Sequence, residues 1–246
     1  MIRDMDKSSM SLVGCQWYAA QMGWQLLKGN VMVEGNLDVR YFRRAAALYH
    51  RDCGLHLLGK DLSVFAAGTG DAGGTYGITE NFPALFKLAR LDLDANGKVK
   101  YRTIALLDSD NRGKSATRLI CQSNRSIREN ANVFLLRRNM PRKSRDVAPL
   151  SKHLEESNQE FNGLDCVIED LLDAFLCELY ETEYPQHIEG KTASSGSGHH
   201  RRWTQDGKFG LCKYMEQYAE LGHVTLIVEV LKSLRFYLGL PEEGVL

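Results

Sequence analysis

Two short apolar runs each end in a pair of carboxylates, and the spacing of those acids is the first sign of chemistry in the chain. Val31-Met32-Val33 runs into Glu34-Gly35, with Asp38 four residues beyond the glutamate. Thr103-Ile104-Ala105-Leu106-Leu107 runs into Asp108-Ser109-Asp110. Apolar runs this short, bounded by turn signals, predict buried strands of a parallel sheet. In open parallel sheets ligands bind beyond the carboxyl ends of the strands. The period of two along a strand would turn Asp108 and Asp110 the same way. Like charges gathered at one edge repel unless a cation neutralises them, and oxygen donors without His or Cys suit Mg²⁺ or Mn²⁺. Taken singly, each acid has a plainer use as a helix cap or turn residue, and for Asp38 alone that use is preferred.

The elements that must carry these acids alternate. After Glu34, apolar Leu37, Tyr41, Ala45 and Leu48 recur at helical spacing, with Asn36 as cap and Gly54 as stop. Ser63–Ala67 predicts a second strand, followed by a glycine-rich loop and a helix from about Thr79 to Leu91. The third strand is 103–107. A helix near Ser115–Cys121 then leads to a fourth strand, 133–136. The expected fold class is α/β, a parallel sheet of about four strands flanked by helices, with a helical C-terminal extension. The expected division is an N-terminal helical segment at 1–29, a core at 30–140, and an extension at 141–246 with a mobile loop near 189–207. In the extension, Leu164, Ile168, Leu171, Leu172, Phe175 and Leu179 form one helical stripe. Ile227, Val230, Leu231 and Leu234 form another.

Composition excludes some functions. The 246 residues carry 31 Lys plus Arg and 31 Asp plus Glu, so the chain is neither a polycation coating nucleic acid nor an acidic disordered tail. Neutrality hides two opposed blocks. Residues 111–152 hold eleven Lys or Arg against Glu129 and Asp146, whereas 153–190 hold eleven Asp or Glu and no Lys or Arg. Arg137, Arg138, Arg142, Lys143 and Arg145 follow the fourth strand, where they could track a nucleic-acid backbone. The plainer reading of that run is a solvated surface. Six scattered cysteines without a C-x-x-C pair form neither a zinc nor a disulfide pattern, so reduced thiols are the default. No apolar run approaches the roughly 20 residues that span a bilayer. With no signal-peptide pattern at the start, a soluble cytoplasmic protein is expected.

The two acidic motifs, Val31-Met32-Val33-Glu34-Gly35-Asn36-Leu37-Asp38 and Ile104-Ala105-Leu106-Leu107-Asp108-Ser109-Asp110, resemble those of the TOPRIM domain over roughly residues 30–138. That domain is the catalytic module shared by topoisomerases, bacterial primases, recombination mediators and the overcoming-lysogenisation-defect (OLD) nucleases. The resemblance implies that Glu34 serves as metal ligand or acid/base group and that the paired aspartates hold Mg²⁺. OLD-type nucleases look closest, because they add an acidic element on a helix and then a lysine to complete a two-metal site. Here Glu169-Asp170 would head an apolar helix, and Lys208 opens the penultimate one. The resemblance assigns Glu34, Asp38, Asp108, Asp110, Glu169 and Asp170 to two Mg²⁺ or Mn²⁺ ions and Lys208 to the phosphoryl charge. It implies an endonuclease acting on DNA or RNA. OLD nucleases usually carry an ABC-type ATPase in the same chain, which is absent here. A stand-alone subunit of a phage-defence complex is therefore implied, with nucleic acid and an ATPase as partners and self-association as a further contact, and no membrane.

Two rival readings stay open. The chain could be a non-catalytic interaction subunit, docked on an ATPase through its apolar C-terminal helices. Alternatively, Gly68-Thr69-Gly70-Asp71-Ala72-Gly73 fits G-x-G-x-x-G, so a dinucleotide could bind there with Asp92 or Asp94 on the ribose. The same loop fits a P-loop except that Gly74 stands where lysine is required, which argues against ATP hydrolysis. The dinucleotide reading leaves all four leading acids unexplained.

Overall fold

A computed structural model describes residues 14–68, 73–193 and 199–242. Helix α1 (Gly14–Gln21) precedes four strands that alternate with helices: β1 (Gly29–Val33), α2 (Asn36–Cys53), β2 (Leu62–Ala66), α3 (Gly74–Leu91), β3 (Arg102–Leu107), α4 (Asn111–Ser123) and β4 (Val133–Leu135). The strands pair in the order β2-β1-β3-β4, all parallel, with Val31 beside both Val64 and Ile104. β1 has its five residues buried, as do the last five of β3, which is why these strands read as unbroken apolar runs.

Alternation along the strands divides the core into two layers. Val31, Val33, Ile104, Leu106 and Phe134 face α2, α7 (Gln205–Tyr218) and α8 (Thr225–Tyr237). Met32, Phe65, Ala105, Leu107 and Val133 face α1, α3 and α4. Chain direction reverses between β1, which leads outward to β2, and β3, which leads outward to β4. The crevice at their carboxyl ends is the topological switch point, where α/β sheets bind ligands.

All four strands and helix α2 lie within one or two residues of their expected positions. Two helices start earlier than the apolar spacing suggested. Gly74 takes the left-handed conformation (φ 63°) and its N–H bonds the Glu34 carbonyl at 2.9 Å, so α3 begins five residues before Thr79. Asp110 caps α4 by accepting from Gly113 N at 2.7 Å. A further helix, α5 (Val147–Ser157), was not expected.

Two expectations about the extension are corrected. The single stripe from Leu164 to Leu179 is split into a 3₁₀ turn, Ile168–Leu171, and α6 (Ala174–Glu183). The break falls at Asp173, whose carboxylate caps α6 through Phe175 N, and Phe175 and Leu179 turn outward. The segment expected to be a mobile loop instead forms an antiparallel pair, β5 (Ile188–Ala193) with β6 (His199–Trp203), and α7 starts inside the same interval. Its central residues 194–198 lie outside the described ones, as do 1–13 of the expected N-terminal helical segment. The extension also shares the first core layer with the sheet, because Ile168, Leu171, Leu211 and Leu231 pack in one cluster with Val31, Val33 and Phe42.

Candidate metal and phosphate centre

Glu34 follows the last residue of β1 and Asp108 the last residue of β3, on adjacent strands at the switch point. They are joined directly: Asp108 N donates to Glu34 Oε1 at 3.0 Å. Asp38 sits in the first turn of α2 and accepts from Gly35 N at 2.8 Å; the residue before the helix is Gly35, and Asn36, expected as the cap, is the first helical residue. Glu169 is brought in by a clip. Ser109, fully buried, donates its N–H to Cys166 O at 2.9 Å and accepts from Cys166 N through its hydroxyl at 3.1 Å. That double bond to the end of β3 fixes the 3₁₀ turn bearing Glu169, which is itself 4% exposed. Lys208 arrives from the first turn of α7, which Thr204 caps through Gly207 N.

The four carboxylates and the lysine feel one another strongly. Burial pushes Glu34 up from 4.5 to about 7, opposed by the Asp108 amide and reinforced by Asp110. Burial also pushes Asp38 up from 3.8 to about 7, against the Gly35 amide, with Glu169 and Glu34 adding repulsion. Asp108 is held well above the usual carboxylate range by burial and then by Asp38, Glu34 and Glu169. Glu169 is raised by burial and eased by Lys208. Lys208 is raised in turn, first by Glu169 and also by Asp108, Asp38 and Glu34, which outweigh its desolvation. One ammonium among four acids leaves an excess of negative charge. Such a set is relieved either by taking up protons or by a hard cation.

The donor chemistry fits Mg²⁺ or Mn²⁺: oxygen only, with surplus charge. In this conformation the acids do not close on an ion, since no three His, Cys, Asp or Glu side chains among the described residues form a metal-holding group. Glu34 and Asp38 each tie one carboxylate oxygen to a backbone amide, leaving the other to turn inward. The gap between Glu34, Asp38, Asp108, Phe42 and Ile168 is about 10 Å³, the size of one water. One group at the site went unnoticed in the sequence as chemistry. The Tyr41 hydroxyl is buried without a hydrogen-bond partner among the described residues, and Glu169 and Asp38 both raise its pKa after burial does. Its helical spacing marked it only as a core position. Arg112 is a second such group, since its charge eases the ionisation of Glu34.

Other expected site residues are placed differently. Asp110 lies near enough to raise Glu34, but one of its oxygens caps α4. The strand has ended at Leu107, so the period-two argument does not reach it. Asp170 is turned away from the cluster. Its carboxylate accepts from Val167 N at 3.0 Å, bonds His200 Nδ1 at 2.8 Å and faces Arg138 Nη2 at 3.6 Å, so its oxygens are spent on structure. Arg138 is correspondingly buried, with Nη1 on the Asp170 carbonyl, and does not belong to a solvent-facing basic track. Arg142 pairs with Glu229 at 2.8 Å. Lys143 and Arg145 are exposed, and Arg145 lies over the Phe236 ring. Arg137 does face the site's surroundings. It helps line a cleft of about 230 Å³ with Ser109, Lys114, Phe161 and Asp165, one residue along β3's end from Asp108.

The rival readings rest on other parts of the chain. The glycine loop follows β2, the edge strand, and not a strand at the switch point, and residues 69–72 lie outside the described ones. Asp92 is buried against Lys100 at 3.0 Å, and Asp94 bonds Asn96 N and Lys98 N of its own turn. Of the apolar C-terminal helices offered for docking, the α8 stripe is covered, with Ile227, Val230, Leu231 and Leu234 each at most 1% exposed, whereas Phe175 and Leu179 of α6 and Phe209 of α7 are exposed. Among the described residues no helix is long and apolar enough to cross a membrane. Comparison with protein-family models, curated proteins and solved structures gives no match.

Proposed function

We propose that the chain is a divalent-cation-dependent phosphodiesterase acting on nucleic acid, a nuclease of the TOPRIM type with OLD nucleases as the nearest analogues. The observation that carries this reading is the meeting of Glu34 and Asp108 at the β1/β3 switch point, joined by the bond from Asp108 N to Glu34 Oε1 at 3.0 Å, with Asp38, Glu169 and Lys208 near enough to act on their ionisation. A structural lysine pairs with one acid. Among the described residues Lys208 is in no direct ion pair, which leaves its ammonium available to an anion.

Asp38, Asp108 and Glu169 would hold Mg²⁺ or Mn²⁺. When bound, such ions polarise a phosphoryl oxygen and lower the cost of placing a phosphodiester among carboxylates. Glu34, with a proton affinity near neutrality, suits proton abstraction from an attacking water. Lys208 offsets charge growing on the phosphoryl oxygens. Arg137, beside the cleft that adjoins Asp108, suits a flanking phosphate. An ATPase partner and a role in phage defence are proposed from the same family resemblance.

The test is cleavage of plasmid DNA, single-stranded DNA and RNA with Mg²⁺ or Mn²⁺, comparing wild type with Glu34→Gln and Lys208→Ala. The expected result is cation-dependent cleavage, lost in Glu34→Gln and slowed about 10²-fold or more in Lys208→Ala. Equal cleavage by all three proteins, or cleavage that survives chelation, would remove this centre from the reaction.

A further inference from the structure

Arg90, Arg102, Arg128 and Arg145 come from four separate elements or loops and line one open cleft of about 430 Å³. No Asp or Glu is among its lining residues. Among the described residues none of the four is in an ion pair, although the chain as a whole has as many acids as bases. Two of the guanidinium groups are held close together. A Cβ placed on Gly239 would lie 2.4 Å from Arg102 Nη1 and 3.2 Å from Arg145 Nη1, so those two cations are immediate neighbours. Arg102 is fixed in position by donating Nη1 to the Leu238 and Gly239 carbonyls at 2.6 and 3.1 Å, which leaves its charge uncancelled. Arg90 lies against Phe86 and Arg145 against Phe236. Aromatic contacts orient a guanidinium without neutralising it.

The cleft lies at the opposite end of the sheet from the carboxylates. Arg102 opens β3 and Asp108 follows its last residue, a span of roughly 20 Å for a six-residue strand. Converging like charges without a counter-charge are unfavourable alone and favour an anion between them, and guanidinium forks match phosphate oxygens. The neighbouring aromatic faces are already used: Phe86 by Arg90, and Tyr237 by a stack on Phe134 with ring centroids 4.8 Å apart. The uncancelled guanidinium groups are thus the feature of this cleft that points to a ligand.

We propose that this cleft binds a compact polyphosphate, the di- or triphosphate portion of a small ligand, at a site separate from the carboxylate centre. The proposal is independent of the nuclease reading.

The experiment is calorimetric titration of the full chain with inorganic tripolyphosphate in the absence of divalent ions. Wild type should bind. The doubly substituted Arg128→Gln/Arg145→Gln protein, altered only at exposed side chains, should bind about tenfold or more weakly. Arg90→Gln, also exposed, gives a second and smaller loss, and Glu34→Gln should bind as wild type does. Absence of binding by wild type, or equal affinity in the double variant, would overturn the proposal. A parallel titration with a single-stranded oligonucleotide separates the sources: binding of the strand but not of tripolyphosphate would overturn the compact ligand in favour of a nucleic-acid backbone.

Discussion

Glu34 and Asp38 lose more by burial than they gain from the amides they accept, and the result is a pair of carboxyls that hold protons to about 7. Their ordinary values are 4.5 and 3.8, so between those values and about 7 the folded chain binds more protons than the unfolded one. Stability therefore falls as pH rises through that window, and the contribution is gone above it. Without divalent ions, the unfolding midpoint should drop between about pH 5 and about pH 8 more steeply in wild type than in Glu34→Gln/Asp38→Asn. Thermal melts at the two pH values check this, and identical slopes would mean that burial does not raise the two carboxyls. Lys208 and Tyr41 belong to the same account. The lysine was reached through resemblance, whereas the tyrosine was hidden because an i, i+4 apolar position says nothing of where its hydroxyl ends.

At the scale of elements, close approaches position the acids. A Cβ at Gly113 would stand 1.9 Å from the Asp108 carbonyl oxygen, so α4 meets the end of β3 only because that residue is glycine. Gly113→Ala should destabilise by about 1–3 kcal/mol and weaken cation binding together with stability, because the same shift moves Asp108 off Glu34. Gly222→Ala, where an added Cβ meets nothing within 4 Å, is the control and should leave both unchanged. Strand and helix order was legible in the sequence because buried parallel strands are unbroken apolar runs and the helices between them repeat at 3.6 residues. The hairpin β5–β6 was not. Its first strand is largely exposed, with the polar sequence Ile-Glu-Gly-Lys-Thr-Ala, so no apolar alternation marks it. The Asp173 cap was equally invisible against the apolar stripe that runs through it. The Ser109–Cys166 clip joins residues far apart in sequence, which is why Glu169 could be proposed for the site but its route there could not.

For the whole molecule, the C-terminal extension is part of the fold that carries the site. Arg235 of α8 is completely buried, with Nη1 and Nη2 on the two oxygens of Asp61 at 2.7 and 2.8 Å and further bonds to the Leu57 and Pro241 carbonyls. Asp61 is the residue before β2, and its carbonyl accepts from Gly29 N at the start of β1. Asp61→Ala would strand a buried charge and should cost about 3–5 kcal/mol in denaturant unfolding. A loss below about 1 kcal/mol would show the pair to be solvent-screened. The opposed charge blocks also resolve at this scale. The acidic block supplies Glu169 to the centre and Asp170 to a buried network with Arg138 and His200. The basic block divides between that network, Arg137 beside the centre, and Arg128 and Arg145 at the far end of the sheet. The nuclease reading turns on Asp38, Asp108 and Glu169 holding a divalent cation beside Glu34. Titration of Mn²⁺ into the full chain at about pH 7.5, read by the loss of the free-ion electron paramagnetic signal, tests it most directly. Saturable binding is expected in wild type, weakened about tenfold or more in Asp108→Asn while the fold is retained. Mn²⁺ that stays free, or binding equal in the two proteins, would contradict it.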